Sequence, residues 1–467
     1  MATTIEEIVA NIREAVDAGY RERLLARGHA RSIIWKEGLL PEDAPPFSPL
    51  LSYDLLSYAY SLLALALRLK ELEGDGDLCC QAFEQVAGAI EAVYANGDPE
   101  DIENGFHHFI AAASYHLGHY SARAYSLLRK IGDGGNFSPI ERALSQIMLR
   151  NLSQLESLIL DWRLKGNGDD DAILAALTQY ASREDGAEQV GSVIHDQIDL
   201  ALSDNLFRAL AIFLTALERG DGELVGQSVE RLNVGLEISA ELNLLPQWWA
   251  HRLGKHLLSD LWSSSFHERL PLAPPEGEGA EWTKLRNLYI ALLYRRPRAE
   301  IDLWPSQYDA AGRALDESDD LVVSLPTSAG KTRIAELCIL KCLASGKRII
   351  FVTPLRALSA QTEVALQRTF APLGKTISTL YGSIGASAYD EDALRERNII
   401  VATPEKLDFA LRNEPSLIND VGLIVLDEGH MIGLGEREVR YEAQIQRLLK
   451  RADADTRRIV CTERVIG

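Results

Sequence analysis

Cysteine is scarce in this 467-residue chain, with five residues and no CxxC pair among them. Cys79 and Cys80 are adjacent, Cys338 and Cys342 stand four apart, and Cys461 is alone. Such spacing indicates neither a thiolate zinc site nor a disulfide framework, and leaves reduced thiols that mostly pack in cores. The N-terminus, Met1 to Glu7, has no basic region followed by an apolar one. No secretory signal is read there, and a cytoplasmic location is expected. Long apolar runs are missing as well. The segment read as most apolar, 55–69, carries Ser and Tyr. It falls short of the roughly 20 residues that a membrane helix needs, so it reads as a buried helix with no membrane partner. Positive charge is also in deficit, the net charge being −20. Residues 301–467 hold 24 acids and 21 bases, which leaves 44 acids and 27 bases for residues 1–300. The acidic N-terminal part should repel a nucleic-acid backbone, whereas the nearly neutral C-terminal part has room for a local basic groove.

Helical periodicity is what the first 270 residues do show. Apolar residues recur at i, i+3 and i+4 over 51–69, 82–94, 109–117, 140–160, 206–217 and 229–242. Gly/Asp/Asn turns separate these segments at 74–77, 96–99, 132–135, 166–169 and 220–222. A small and aromatic seam runs through Ala112, Ser114, Tyr115, Gly118, Tyr120, Ala122 and Ala124. Without a strict period, the expectation is an acidic all-α domain over 1–270 that resembles a helical repeat. Trp248, Trp249, His251 and His256 lie on an apolar helix and read as core, and His107, His108, His116 and His119 lack ligand spacing. The Pro/Gly-rich stretch 271–279 reads as a linker, with a connecting helix over 282–294 completing a 271–300 junction. From 301 the period changes. Strand-like runs at 321–324, 348–353, 377–381, 399–403, 423–426 and 458–461 alternate with helical patterns. This implies a doubly wound parallel sheet with helices on both faces, and therefore an α + α/β chain.

Two motifs fall at strand ends of this second region. Leu325-Pro326-Thr327-Ser328-Ala329-Gly330-Lys331-Thr332 follows one strand and opens a helix. Backbone amides and the helix dipole make such a loop a phosphate cradle. Lys331 would reach the β- and γ-phosphates, and the Thr332 hydroxyl would sit on Mg²⁺. Leu325 stands where the standard pattern has its first glycine. Asp427 and Glu428 end a second apolar strand 96 residues after Lys331. One carboxylate would hold the metal and the other would orient water, so the pair of motifs reads as a site for ATP and Mg²⁺.

With these motifs in place, residues from about 300 onward resemble the first RecA-like domain of a superfamily 2 DExH helicase, of the superkiller and archaeal repair type. That resemblance implies roles for particular residues. Gln307, in Leu303-Trp304-Pro305-Ser306-Gln307, would read the adenine edge. Residues 326–332 would form the phosphate loop, whose first position varies in that family. Asp427 and Glu428 would be the metal and water carboxylates, and His430 would couple the site to neighbouring motifs. Thr353, Pro354 and Arg356 are similar to the family's motif Ia, Thr403 and Pro404 to its motif Ib, and Gly382 to a contact loop. These would hold the backbone of a single-stranded or partly duplex nucleic acid, DNA before RNA. Arg440 and Glu442 are similar to a charged element after the Asp-Glu pair.

The family's Ser-Ala-Thr motif is replaced by Thr462-Glu463-Arg464, and no second RecA-like domain is found before Gly467. The chain therefore reads as the ATP-binding half of a longer motor. A helical scaffold with a degenerate nucleotide domain, docking protein partners, is the rival reading. The helical region joined to this helicase type also resembles bacterial antiphage helicases of the Hachiman kind. Alone, the chain is expected to bind ATP–Mg²⁺ weakly and to hydrolyse it poorly. A steady-state ATPase assay with and without nucleic acid checks this, and robust stimulated turnover would contradict it.

Overall fold

The computed structural model describes residues 4–16, 19, 49–94, 103–131, 137–165, 187–272, 279–316, 318–325, 330–380, 397–413, 415–429, 436–453 and 455–462. The chain divides into two compact units, Met1–Trp262 with Pro297–Ala299, and Ser263–Arg296 with Glu300–Gly467.

In the first unit the described elements are helical: α1 (Ile5–Val16), α2 (Pro49–Glu71), α3 (Gly76–Tyr94), α4 (Glu103–Leu117), α5 (Ser121–Ile131), α6 (Pro139–Leu149), α7 (Leu152–Leu164), α8 (Ala187–Arg219), α9 (Gly222–Glu241) and most of α10 (Leu245–Ser264). Small residues let α3 and α4 approach closely. Ala111, Ala112, Ala113 and Ser114 are fully buried, and a Cβ on Gly118 would press on Phe83 and the Cys80 carbonyl. One expected element is corrected. The continuous periodicity over 140–160 is broken into α6 and α7, because Arg150 adopts left-handed φ 59°. There the Asn151 N–H turns back to the Gln146 carbonyl and the Arg150 guanidinium to that of Ile147. The expected core positions Trp249, His251 and His256 are buried. Within α8, His195–Arg219 is long and apolar enough to cross a membrane by length and composition, and its most apolar 18-residue stretch is mostly buried inside the unit.

The second unit contains α11 (Phe266–Arg269), α12 (Gly279–Tyr294), α13 (Tyr308–Ala314), β1 (Leu321–Ser324), α14 (Lys331–Ala344), β2 (Arg348–Val352), α15 (Arg356–Phe370), β3 (Ile377–Leu380), β4 (Ile399–Ala402), α16 (Pro404–Asn413), β5 (Val421–Leu426), α17 (Glu436–Arg451) and β6 (Arg457–Thr462). The six described strands form one parallel sheet in the order β1-β6-β5-β2-β4-β3. Successive strand residues point to opposite faces. Ile349, Phe351, Leu423 and Val425 pack with α12, α14 and α15, whereas Ile350, Val352, Ile424 and Leu426 pack with α16 and α17. The sheet is thus covered on both faces, as a RecA-like fold requires. Edge strand β1 is the exception, because its Val322 faces outward at 63% exposure. Helix α12 is no connector. Trp282, Leu285, Tyr289, Ile290 and Leu293 belong to the sheet's own core. Buried Arg286 donates to the carbonyls of Leu270 and His267, which ties α12 to α11.

The helical unit also carries a charged cross-link. Arg252 donates from Nε and Nη2 to the Glu71 carboxylate at 3.1 and 3.3 Å, and His256 Nε2 lies 3.3 Å from it. Burial alone would raise the Glu71 pKa, but His256 and Arg252 outweigh it and hold the carboxyl at about 2. A depressed folded-state value stabilises the fold above the unfolded carboxyl's ordinary range, and that contribution disappears as pH falls toward 2. Glu71→Gln should therefore lower stability at neutral pH, with the gap to the parent closing between about pH 5 and pH 2. Urea melts across that range provide the check, and a gap independent of pH would contradict it.

Candidate nucleotide site

The site is built at the carboxyl ends of the strands. β6 pairs with β1 on one side and with β5 on the other. The loop after β1 and the acids after β5 are therefore two strand spacings apart, about 10 Å, a separation that a triphosphate with its metal can bridge. Gly330 ends the loop at φ 81° and caps α14. Only glycine takes this left-handed conformation without steric cost. Lys331 is the first residue of α14 and is buried, while Thr332 beside it is exposed. Pro326, Thr327, Ser328 and Ala329 lie outside the described residues.

Gln307 is 4% exposed, and its amide is fully oriented. Its Oε1 accepts from the Trp304 N–H at 2.9 Å, and its Nε2 donates to the Gly330 carbonyl at 3.3 Å. A Cβ on Gly330 would collide with that Nε2. The sequence-based expectation placed Gln307 on the base. The structure adds a link from this glutamine to the phosphate loop itself.

Asp427 follows β5, and its N–H donates to the Val352 carbonyl at 2.9 Å. The Glu428 N–H donates to Asp427 Oδ1 at 3.0 Å. Glu428 holds φ 53°, a left-handed geometry that costs a non-glycine residue about 1–2 kcal/mol. Gly429 is packed so tightly on β6 that a Cβ there would run into Val460 Cγ1. His430 lies outside the described residues.

Lysine and acids converge on one reporter. Cys461 on β6 is buried, and burial pushes its thiol pKa up. Asp427 and Glu428 push it further, while Lys331 pulls it back. All three charged groups are thus within electrostatic reach of a single sulfur at the end of the strand between them. Neither Cys461 nor Tyr441 figured among the expected site residues. Tyr441 donates to the Asp427 carbonyl at 3.4 Å, and burial with Asp427, Glu428 and Glu405 pushes its hydroxyl to about 12. The apolar spacing of Tyr441, Ile445 and Leu448 on α17 was the available signal.

At the turns expected to hold nucleic acid, several side chains are buried. Thr353 is fully buried and its hydroxyl is shared with Ser359; Thr403 is 5% exposed, and Pro404 is buried too. The Thr353 hydroxyl is thus engaged within its own strand-to-helix turn. At the same turns Leu355 and Glu405 are exposed, and Pro354 and Lys406 are half-buried. Arg356 starts α15, and Gly382 lies outside the described residues.

Gly429→Ala should distort the turn that carries Glu428 and lower both melting temperature and affinity for a fluorescent ATP analogue. The double variant Gly429→Ala/Val460→Ala should recover much of both. No recovery would contradict the packing explanation.

Residues 304–462 match the family model described as DEAD/DEAH box helicase. Over 431 residues, 91% of this chain and 35% of the relative, the sequence is 24% identical to "Hachiman protein HamB" of Bacillus cereus. It is 35% identical over 158 residues, 34% of this chain, to "ATP-dependent DNA helicase Hel308" of Pyrococcus abyssi, covering 22% of that protein. A solved structure of the DUF1998 helicase MrfA bound to DNA aligns with a TM-score of 0.33 at 21% identity, over 38% of this chain and 26% of that one. The chain spans about a third or less of the length of these relatives. The match to the DEAD/DEAH box helicase model thus falls within the second unit, over residues 304–462.

Proposed function

We propose that this chain is the ATP-binding half of an ATP-dependent nucleic-acid helicase or translocase. The observation that carries this reading is the placement of Lys331, Asp427 and Glu428 around the end of β6. The residues fit a magnesium nucleotide. Gly330 supplies the left-handed turn that starts α14, Thr332 is exposed beside it, and two carboxylates stand two strands away. Bound ATP–Mg²⁺ would supply the phosphoanhydride whose hydrolysis drives movement. Lys331 would neutralise phosphate charge, Thr332 and Asp427 would hold the metal, and Glu428 would orient the attacking water and take its proton. A single strand of DNA is the proposed track, supported by the likeness to Hel308, a protein named as a DNA helicase. Its backbone would cross the turns at 353–356 and 403–406. Similarity to the Hachiman protein extends through the helical region, which supports a role for that region in the same defence context, with a protein partner on its acidic surface. A cytoplasmic location belongs to the same reading.

Lys331→Ala should weaken binding of a fluorescent ATP analogue with Mg²⁺ by about tenfold to a hundredfold, the worth of one charge-assisted hydrogen bond. Glu428→Gln should retain binding and lose hydrolysis. Unchanged binding by Lys331→Ala in an equilibrium titration would overturn the nucleotide site.

A further inference from the structure

The first turn of α14 carries Lys331 and Thr332, and its third residue is Arg333. A cation in the first turn of a helix opposes the helix dipole, so helix propensity does not account for it. Its surroundings do. Arg333 Nη1 donates to the Tyr289 hydroxyl at 2.8 Å and to Glu336 Oε2 at 2.5 Å, and Nη2 pairs with Glu300. Its guanidinium also lies over the rings of Phe266 and Tyr289, at 5.6 and 6.0 Å from their centroids. The partners are held in turn. Arg296 donates to Glu300 at 2.6 Å and to Thr369 Oγ1 at 3.1 Å, and the Thr369 hydroxyl donates to Glu336 Oε1 at 3.0 Å. Tyr289 closes the circuit on Glu336 at 3.2 Å. Two arginines and two glutamates balance in charge. Burial would lower the Arg333 pKa, but Tyr289, Glu336 and Glu300 more than reverse it, so the cation is fixed.

Buried ion networks add little net stability, but they can fix one arrangement against its neighbours. Here four separate pieces of chain grip one guanidinium: α11 and α12 through Phe266 and Tyr289, the segment at Glu300, and α14 itself through Glu336. The grip sets the rotation of the helical turn that presents Lys331 and Thr332.

We propose that Arg333 is a positioning residue of the nucleotide site. With Tyr289, Glu300 and Glu336 it aims Lys331 and Thr332 at the phosphates and their metal without touching either. This rests on the reading of Lys331 as the phosphate-binding lysine. Phe266, Tyr289 and Glu300, which precede the helicase motifs, are on this account part of the scaffold of the site.

The test is an equilibrium titration of the whole chain with a fluorescent ATP analogue and Mg²⁺, run beside thermal melts. Arg333→Met should weaken binding about tenfold and lower the melting temperature. Arg333→Met/Glu336→Gln restores charge balance, so it should recover melting temperature while affinity stays low. Tyr289→Phe removes one hydroxyl and should weaken binding by less, which keeps the test usable if Arg333→Met fails to fold. Leu144→Ala, which removes buried volume in the helical unit, should lower the melting temperature and leave affinity unchanged. If affinity returns together with melting temperature in the double variant, Arg333 is merely structural and the proposal fails. It fails equally if Arg333→Met and Tyr289→Phe bind like the parent while Lys331→Ala does not, and in that case the nucleotide site stands. Parent-like binding by Lys331→Ala would remove both.

Discussion

The backbone ladder β1–β6–β5 is the constraint on which the rest depends. Its register pairs Ser324 with Thr462 and Leu426 with Val460, so the strands on either side of β6 end near the same level. Parallel pairing sends both following loops out of the same sheet edge. Lysine and carboxylates far apart in sequence are thereby placed on one ligand-sized span. The general tendency of open α/β sheets to bind ligands at their carboxyl ends is the same geometry.

Around that ladder the local backbone is specialised, and the specialisations are of different kinds. Gly330 is needed for its left-handed φ and for the glutamine resting on it. Gly429 is needed for space against Val460. Glu428 holds a left-handed φ although it has a side chain, which is tolerated when the surroundings over-determine it. Its N–H on Asp427 Oδ1, the Asp427 N–H on Val352, and Tyr441 beneath Asp427 supply that determination. The cradle is thus made rigid by its neighbours on β2, β6 and α17.

Much of this was legible in the residues. The strand at 321–324 was placed to the residue, because a short β-branched run between turn signals leaves few alternatives. Gly330-Lys331 and the Asp-Glu pair could be singled out because phosphate chemistry asks for those residue types at strand ends, and they do follow β1 and β5. Strand order was not readable, since pairing of distant segments leaves no local mark. The break at Arg150 escaped because the apolar spacing continues through it, and a left-handed arginine has no compositional signature. Helix α12 was taken for a connector because a Pro/Gly stretch precedes it; its burial is decided by the partner it meets. Burial of the motif threonines Thr353 and Thr403 was not readable; the Thr353 hydroxyl is consumed by its own turn, as hydroxyls at strand-to-helix turns often are. Arg333 was invisible for a related reason, because its partners come from positions 266, 289, 300 and 336.

Strand β1 forms the border of the sheet. Among the described residues it has one neighbouring strand, and Val322 stands in the open beside it. Every second amide and carbonyl along that border lacks an inter-strand mate in the sheet, and four residues with little charge offer no electrostatic guard. Such a rim is a template onto which any extended peptide can be laid. Handling the polypeptide at high concentration therefore invites edge-to-edge stacking that starts a few residues upstream of Gly330 and Lys331.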